Sequence, residues 1–289
     1  MGKIDELKGV KKNVVLAPYT TYKIGGKAKY FFEAKKKNEL ISAIKWAKEL
    51  RTPCFVIGGA SNVLFLDKNF NGLVIKICNS AIKISDSANK ILDCNVVAEA
   101  GAKLGKLADF AAKNYLSGLE WISGVPGTVG GAIFGNAQAF GCKMADMVES
   151  VEVLDINSLE IKNIIKKDCD FSTKNSVFKK GKNLIIISAV LKLKKGDREN
   201  IKNKIEEVLS YRKNKHPRLP SAGSVFVNSE VKITDEKLLE KFPELALFNK
   251  RDAIPSAYLI EKCGLKGKKI GKAQISEKHA NFIVNLGGA

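Results

Sequence analysis

Residues 118–136 read GLEWISGVPGTVGGAIFGN. Glycine fills six of the nineteen positions, interleaved with Trp121, Ile122, Val125, Val129, Ile133 and Phe134. A flexible linker would be polar, and a core helix would avoid so much glycine. A second glycine turn, VIGGASNVLF at 56–65, opens on an apolar run. Glycine permits positive φ and lets a bulky group approach the main chain closely. Successive N–H groups in such turns form a cradle for anions. Ser61, Asn62 and Thr128 add side-chain donors, and Pro126 stiffens the second turn. The expectation is two loops that grip a diphosphate, anchored by their apolar residues; the alternative is tight surface turns with no ligand. Neither stretch is G-x-G-x-x-G or G-x-x-x-x-G-K-[ST], which disfavours the folds those fingerprints mark.

Around these turns the pattern alternates between short apolar runs and amphipathic stretches. NELISAIKWAKEL at 38–50 has helical spacing, with Asn38 as expected N-cap and Glu39 in the first turn. CFVI, GLVIKI at 72–77, NVVAEA at 95–100, SVEVLDI at 150–156 and NLIIISAVLKL at 183–193 read as strands. A helix is expected over 102–116, closed by Gly118. A polar-faced helix over 197–213 marks the passage into a further domain. That domain holds SAGSVFVNS as a strand with its turn, a helix in IPSAYLIEKCG and a last strand in ANFIVNL. Without a strict βαβ rhythm the class is α+β.

The 289 residues and 45% hydrophobic content suit about two globular domains. No run approaches the 18 or so apolar residues of a membrane span, and the first residues lack the apolar core of a signal peptide. The expected location is the cytoplasm, with no membrane partner. Six cysteines are scattered without a CxxC pair, and only His216 and His279 occur, so neither a metal site nor a disulfide framework is expected. The net charge of +19 invites a nucleic-acid reading. However, the cations are nearly all lysine, spread along the chain, with arginine only at 51, 198, 212, 218 and 251. Arginine is the preferred residue for bidentate phosphate and base contacts, so a solvated surface is favoured and no nucleic-acid partner is expected. Such a field still draws in polyanionic small substrates.

Five stretches carry a resemblance. TTYKIGGKAKYF (20–31), VIGGASNVLF (56–65), SGVPGTVGGAIFGNAQAFG (123–141), SAGSVFVN (221–228) and AYLIEKCGLKGKKIGKAQISEKHANFIVN (257–285) occur in this order. Together they resemble the UDP-N-acetylenolpyruvoylglucosamine reductase (MurB) family, flavoenzymes of bacterial peptidoglycan synthesis, over nearly the full chain. The resemblance implies an FAD-binding fold of the vanillyl-alcohol oxidase type. Its two α+β subdomains would span 1–78 and 79–196, with a substrate domain at 197–289. It implies that NADPH reduces a non-covalently held FAD and leaves. UDP-N-acetylglucosamine enolpyruvate then enters the same cleft and is reduced to UDP-N-acetylmuramate. Gly58, Gly59, Ser61, Asn62, Gly124, Gly127, Thr128 and Gly131 would hold FAD. Ser224 would give a proton to the substrate α-carbon. Asn228, Tyr258, Lys266 and His279 are the candidate substrate contacts. The implied setting is cell-wall biogenesis, hence cell shape, cell cycle and division, and the expected state is a monomer.

Two departures stand out. The family pattern has Tyr-Arg-Asp-Ser before a phenylalanine, and the arginine helps stabilise an enolate. Here the stretch is DFSTKNSVFKK (170–180), which puts Lys174 in that place. Lysine keeps the charge and loses the planar fork, so Lys174 is expected to serve with weaker carboxylate recognition. The family also continues past ANFIVN to a catalytic glutamate, where this sequence reads NLGGA; the expectation is that the sequence is a fragment, the alternatives being that another residue fills the glutamate's role or that the protein binds flavin without turning over well. Two other functions stay open on these grounds: a non-catalytic flavin or nucleotide binder lacking that glutamate, and another flavin oxidoreductase of the same fold.

Overall fold

The computed structural model describes residues 7–85, 93–181, 183–250 and 253–289. The chain opens with β1 (Lys11–Val15), β2 (Lys27–Ala34), α1 (Lys37–Glu49), β3 (Cys54–Ile57) and β4 (Phe70–Ile77). These strands make a mixed sheet in the order β1-β2-β4-β3, with β1 antiparallel to β2 and β4 parallel to both β2 and β3. The helix begins one residue before Asn38, so Asn38 is not the cap. Instead Glu39 turns its carboxylate back to accept from the N–H groups of Lys35 and Lys36, at 2.8 and 3.2 Å. This satisfies donors that the first helical turn leaves open.

A second unit follows: β5 (Ile82–Ile84), β6 (Asp93–Glu99), α2 (Leu104–Lys113), β7 (Leu116–Ser117), α3 (Val129–Phe134), β8 (Gln138–Ala139), β9 (Cys142–Lys143), α4 (Met144–Met147), β10 (Val148–Asp155), β11 (Ile161–Ile165), α5 (Val177–Gly181) and β12 (Leu184–Lys195). Its main sheet runs β11-β10-β12-β6-β5, every pair antiparallel, with β7 on the end of β12. The helix expected over 102–116 stops at Lys113. Tyr115 takes a left-handed φ of 56°, and Leu116 and Ser117 leave to pair with Lys195 and Lys194. Sheet pairing overrides helical periodicity there.

Both units share one core. Phe32, Leu73 and Ile75 from the first sheet and Leu40 and Ile44 from α1 pack with Val96, Val151, Val153 and Ile187 from the second. The opposite face of the first sheet carries a smaller cluster of Leu16, Phe31, Ile57, Ala60 and Val74. A register shift between Ala28 and Tyr30 places Ala28 and Phe31 together on that face.

The long helix α6 (Arg198–Lys215) leads out, capped by Asp197 accepting from the Asn200 N–H at 2.9 Å. The last lobe holds α7 (Glu236–Lys241), α8 (Glu244–Asn249), α9 (Ser256–Lys262) and a small antiparallel sheet of β13 (Lys269–Ile270), β14 (Ala273–Ile275) and β15 (Ile283–Asn285). The strand expected in SAGSVFVNS is not a ladder strand. Among the described residues its pairing in the β sense is confined to isolated bridges, Ser224 to Phe282 and Ser229 to Ile254. Among the described residues no helix is long and apolar enough to cross a membrane.

Candidate active site

The two glycine loops meet face to face. A Cβ on Gly59 would lie 2.9 Å from the Gly127 Cα, and one on Gly127 would lie 2.9 Å from Ser61 Oγ. A Cβ on Gly58 would collide with Thr128 Oγ1. Ser61 Oγ donates to the Pro126 carbonyl at 3.0 Å and ties the loops together. Gly124 and Gly127 need their glycine freedom, with φ of 74° and 130°. The apolar residues between the glycines are the anchors: Trp121, Ile122, Val129 and Ile133 are buried in the shared core. Ala60, Val63 and Phe65 sit on the smaller cluster. Gly130, absent from the expected set, is a packing glycine whose Cβ would press to 2.8 Å on Ala100.

What the loops leave open is a set of donors. Among the described residues, the N–H groups of Gly59, Ala60, Ser61, Asn62, Gly127 and Thr128 donate to no main-chain carbonyl. Thr128 Oγ1 is buried and has no partner among the described residues, and the same holds for Trp121 Nε1 in the same stretch. Buried polar groups are almost always satisfied, so the Thr128 orphan points to an acceptor supplied from outside the chain. A diphosphate, rich in acceptors and free of donors, fits such a place, and the residues expected to hold FAD therefore suit it. Asn62 is exposed and Gly131 lies in α3, 3.6 Å from Thr128 Oγ1 when given a Cβ.

A cleft of about 470 Å³ opens at these loops. Gly59 and Pro126 form one wall, Tyr19 and Thr21 another, and Arg218 to Ser221 a third. Thr21 Oγ1 donates to the Ser221 carbonyl at 2.8 Å, and Asn285 Nδ2 donates to the Tyr22 carbonyl at 3.0 Å. These bonds stitch the last lobe to the first sheet. Arg212 on α6 reaches the carbonyls of Ser123 and Trp121, at 3.0 and 3.1 Å, and lies over the Phe140 ring.

Ser224 lies three residues beyond the cleft wall, exposed, in the ribbon bridged to Phe282. Lys174 sits on a tight turn with a left-handed φ of 56°, a costly conformation for a residue with a Cβ. The turn docks on the far end of α3: Ser176 Oγ donates to the Phe134 carbonyl at 2.7 Å, and Asn136 Nδ2 to that of Ser172 at 2.9 Å. Thus α3 joins one glycine loop to the Lys174 turn. The Lys174 ammonium is half-buried with no carboxylate partner among the described residues; burial, then the neighbouring Lys179, pushes its pKa down. A strained, desolvated, unpaired cation is the profile of a functional group.

The expected substrate contacts are dispersed. Asn228 Oδ1 accepts from the Ser256 N–H at 3.2 Å, at the start of α9. Tyr258 donates to Glu244 and stacks on Phe248, while Lys266 pairs with Glu261 at 3.3 Å. His279 packs edge-on against His216 and Phe282, and its Nδ1 accepts from the Asn281 N–H at 3.3 Å. His279 is linked to Ser224 through Phe282, and Asn228 lies on the same ribbon four residues on. Sequence reasoning passed over Asn281, Asn285 and Arg212; their signal is chemical, since buried Asn and Arg must find main-chain partners.

Comparison with known proteins identifies the family. Residues 28–161 match the FAD binding domain family, and residues 215–289 match the C-terminal domain of UDP-N-acetylenolpyruvoylglucosamine reductase. The reductase of Caldanaerobacter subterraneus is 37% identical over 297 residues, covering 99% of this chain and 87% of that protein. That of Caldicellulosiruptor bescii is 41% identical over 282 residues, covering 96% and 80%. The crystal structure of the reductase from Thermus caldophilus superposes with a TM-score of 0.76 at 32% identity, covering 97% of this chain and 89% of that one. The chain is α+β, with an FAD-binding fold followed by the reductase C-terminal domain, and it belongs to the UDP-N-acetylenolpyruvoylglucosamine reductase family.

Proposed function

We propose that this protein reduces UDP-N-acetylglucosamine enolpyruvate to UDP-N-acetylmuramate with NADPH, through non-covalently held FAD, in peptidoglycan synthesis. Membership of a family whose curated relatives bear the reductase name favours this enzyme over a non-catalytic binder or another oxidoreductase. The observation that carries it is the set of unsatisfied donors on the two glycine loops, beside a cleft walled by Gly59, Pro126 and the Arg218 to Ser221 segment that runs on to Ser224.

Bound FAD would supply the carrier of hydride between NADPH and the substrate. The residues that would hold its diphosphate are Gly58, Gly59, Ser61, Asn62, Gly124, Gly127, Thr128 and Gly131. They would do so mainly through main-chain donors that need no rearrangement on binding. The enolpyruvyl group gains hydride at its terminal vinyl carbon and a proton at the carbon bearing the ether oxygen and carboxylate, for a net use of NADPH and one proton. Ser224 Oγ is the group proposed to give that proton. Serine is a weak acid, and donation is made feasible by a carbanionic acceptor and an oriented hydroxyl. Lys174 is proposed to hold the negative charge that spreads onto the substrate carboxylate. A pre-placed cation in a desolvated site is worth far more than one in water. Lys266, Asn228, Tyr258 and His279 are proposed to meet the nucleotide portion. The protein is further proposed to act as a cytoplasmic monomer, where NADPH and nucleotide sugars are found.

The test is direct. Purified protein should be yellow and release flavin on heating. NADPH absorbance at its long-wavelength band should fall only when the enolpyruvyl nucleotide is present. A colourless protein that does not take up FAD, or NADPH loss indifferent to that substrate, would overturn the reading.

A further inference from the structure

The ribbon that carries Ser224 has little apolar packing. Val225, Phe226 and Val227 are 46%, 57% and 57% exposed. Its far end is fixed by mutual main-chain bonds between Ser229 and Ile254, at 3.0 and 2.7 Å, and by Ser256 Oγ donating to the Val227 carbonyl at 2.6 Å. The Ser224 end is fixed differently. Asn281, 4% exposed, turns its side-chain amide onto Phe226: Oδ1 accepts from the Phe226 N–H at 2.9 Å, and Nδ2 donates to the Phe226 carbonyl at 2.8 Å. The Asn281 carbonyl also accepts from the Val225 N–H at 2.9 Å. One side chain thus stands in for a neighbouring strand at the residue two places after Ser224. Ser224 Oγ makes no hydrogen bond of its own among the described residues, so only the backbone decides where it points.

We propose that Asn281 is a positioning residue for proton delivery: its amide holds Phe226 by both main-chain groups and so fixes Ser224 against the substrate. This rests on the reductase reading above. Asn281 lies outside the glycine loops proposed to hold FAD and its side chain bonds Phe226, so on this proposal its loss should fall on one half of the reaction only. A misplacement of about 1 Å can cost roughly 100-fold in rate.

The experiment compares wild type, Asn281→Ala and Asn281→Asp, each loaded with FAD and followed by stopped flow. Bleaching of the flavin by NADPH should be unchanged. Reoxidation of the reduced enzyme by the enolpyruvyl nucleotide should slow about 100-fold in Asn281→Ala. Hydrogen exchange at the Val225 and Phe226 amides should quicken, a readout that needs no turnover. Asn281→Asp is the sharper variant. As a carboxylate it accepts from the Phe226 N–H but faces the carbonyl with no donor; protonated, it regains both bonds. Its reoxidation rate should therefore climb towards the wild-type value as pH falls, beyond any slope the wild type itself shows from nearby His279 and His216 or from Lys174.

Wild-type reoxidation in Asn281→Ala would overturn the proposal. So would an Asn281→Asp profile parallel to the wild type, or equal loss of both half-reactions. If the wild type itself does not reoxidise with the enolpyruvyl nucleotide, the reductase reading falls as well. A working wild type beside unaffected variants sinks this inference alone.

Discussion

The glycine loops line the cleft and the Ser224 ribbon runs on from its third wall, yet opposite means hold them. The loops are pinned by apolar residues, one in the shared core and the other in the smaller cluster, and each blocks the other from moving, with Gly59 against Gly127 and Ser61 bonded to Pro126. The ribbon exposes its apolar side chains and hangs on a buried amide and a hydroxyl, from Asn281 and Ser256. The cofactor end of the site is therefore rigid by packing, and the substrate end is set by directional bonds. Packing tolerates exchanges among apolar residues that keep volume; directional bonds do not tolerate the loss of a donor.

Variants can break this comparison. The largest effect is expected at Lys174, which belongs to the rigid side through α3. Lys174→Met should lower kcat about 1,000-fold, the upper range for loss of a pre-placed charge-stabilising group, with little change in FAD content. Lys174→Arg should be at least as fast as the wild type, and a slower variant would count against the assignment. The pH profile gives an independent check. Catalysis needs the ammonium, and burial depresses the Lys174 pKa, so wild-type activity should fall as pH rises through that lowered value. The arginine variant, charged throughout, should keep its plateau.

Next in size is Gly59→Ala. The added methyl must push the Gly127 main chain away, and overpacking of this kind costs about 1–3 kcal/mol. Equilibrium dialysis should show FAD binding weakened by up to about 100-fold, since each tenfold is 1.4 kcal/mol. Unchanged affinity would mean that the two loops do not act as one cradle.

How far could this have been read from sequence? The loops announced themselves, because glycine set among buriable residues suits neither a linker nor a core helix. The strands β6, β10 and β12 followed from their apolar runs. The contact between the two loops did not, since Gly59 and Gly127 are far apart in sequence and neither has a side chain to betray a partner. The early end of α2 was hidden because helical spacing continued through residues that the sheet recruits. The ribbon at 224–229 read as a strand on its Val-Phe-Val pattern, and its real neighbour is an amide at position 281 that no periodicity marks. Lys174 was found by matching a pattern, while its left-handed turn and lack of a partner are visible only in three dimensions.

Arg212 tests the link between the two regions. It holds the carbonyls before Gly124 from α6, the helix that leads into the last lobe. Arg212→Ala should destabilise the protein by about 2 kcal/mol, as expected for bonds to a charged group, measured by urea denaturation. The smallest effect concerns His216, whose pKa is pushed down to about 4 by burial first, then by Arg212, His279 and Lys278. The folded value lies below the ordinary one, so the neutral ring's contribution is complete above pH 6.5 and drains away as pH falls towards 4. With half the ring open to solvent, the loss should be about 1 kcal/mol after screening. His216→Phe should flatten that acid limb while leaving stability at pH 7 nearly unchanged.

Ser224 is where the central claim is most exposed. Reduced enzyme, prepared anaerobically with NADPH, can be mixed with the enolpyruvyl nucleotide in heavy water, and the product carbon beside the carboxylate examined by NMR. Wild type should reoxidise and place one deuterium on that carbon, while Ser224→Ala should take up FAD, accept electrons from NADPH and then stay reduced. Reoxidation of Ser224→Ala at the wild-type rate, with deuterium delivered as before, would contradict the claim that this cleft brings a flavin and a serine proton donor to one substrate.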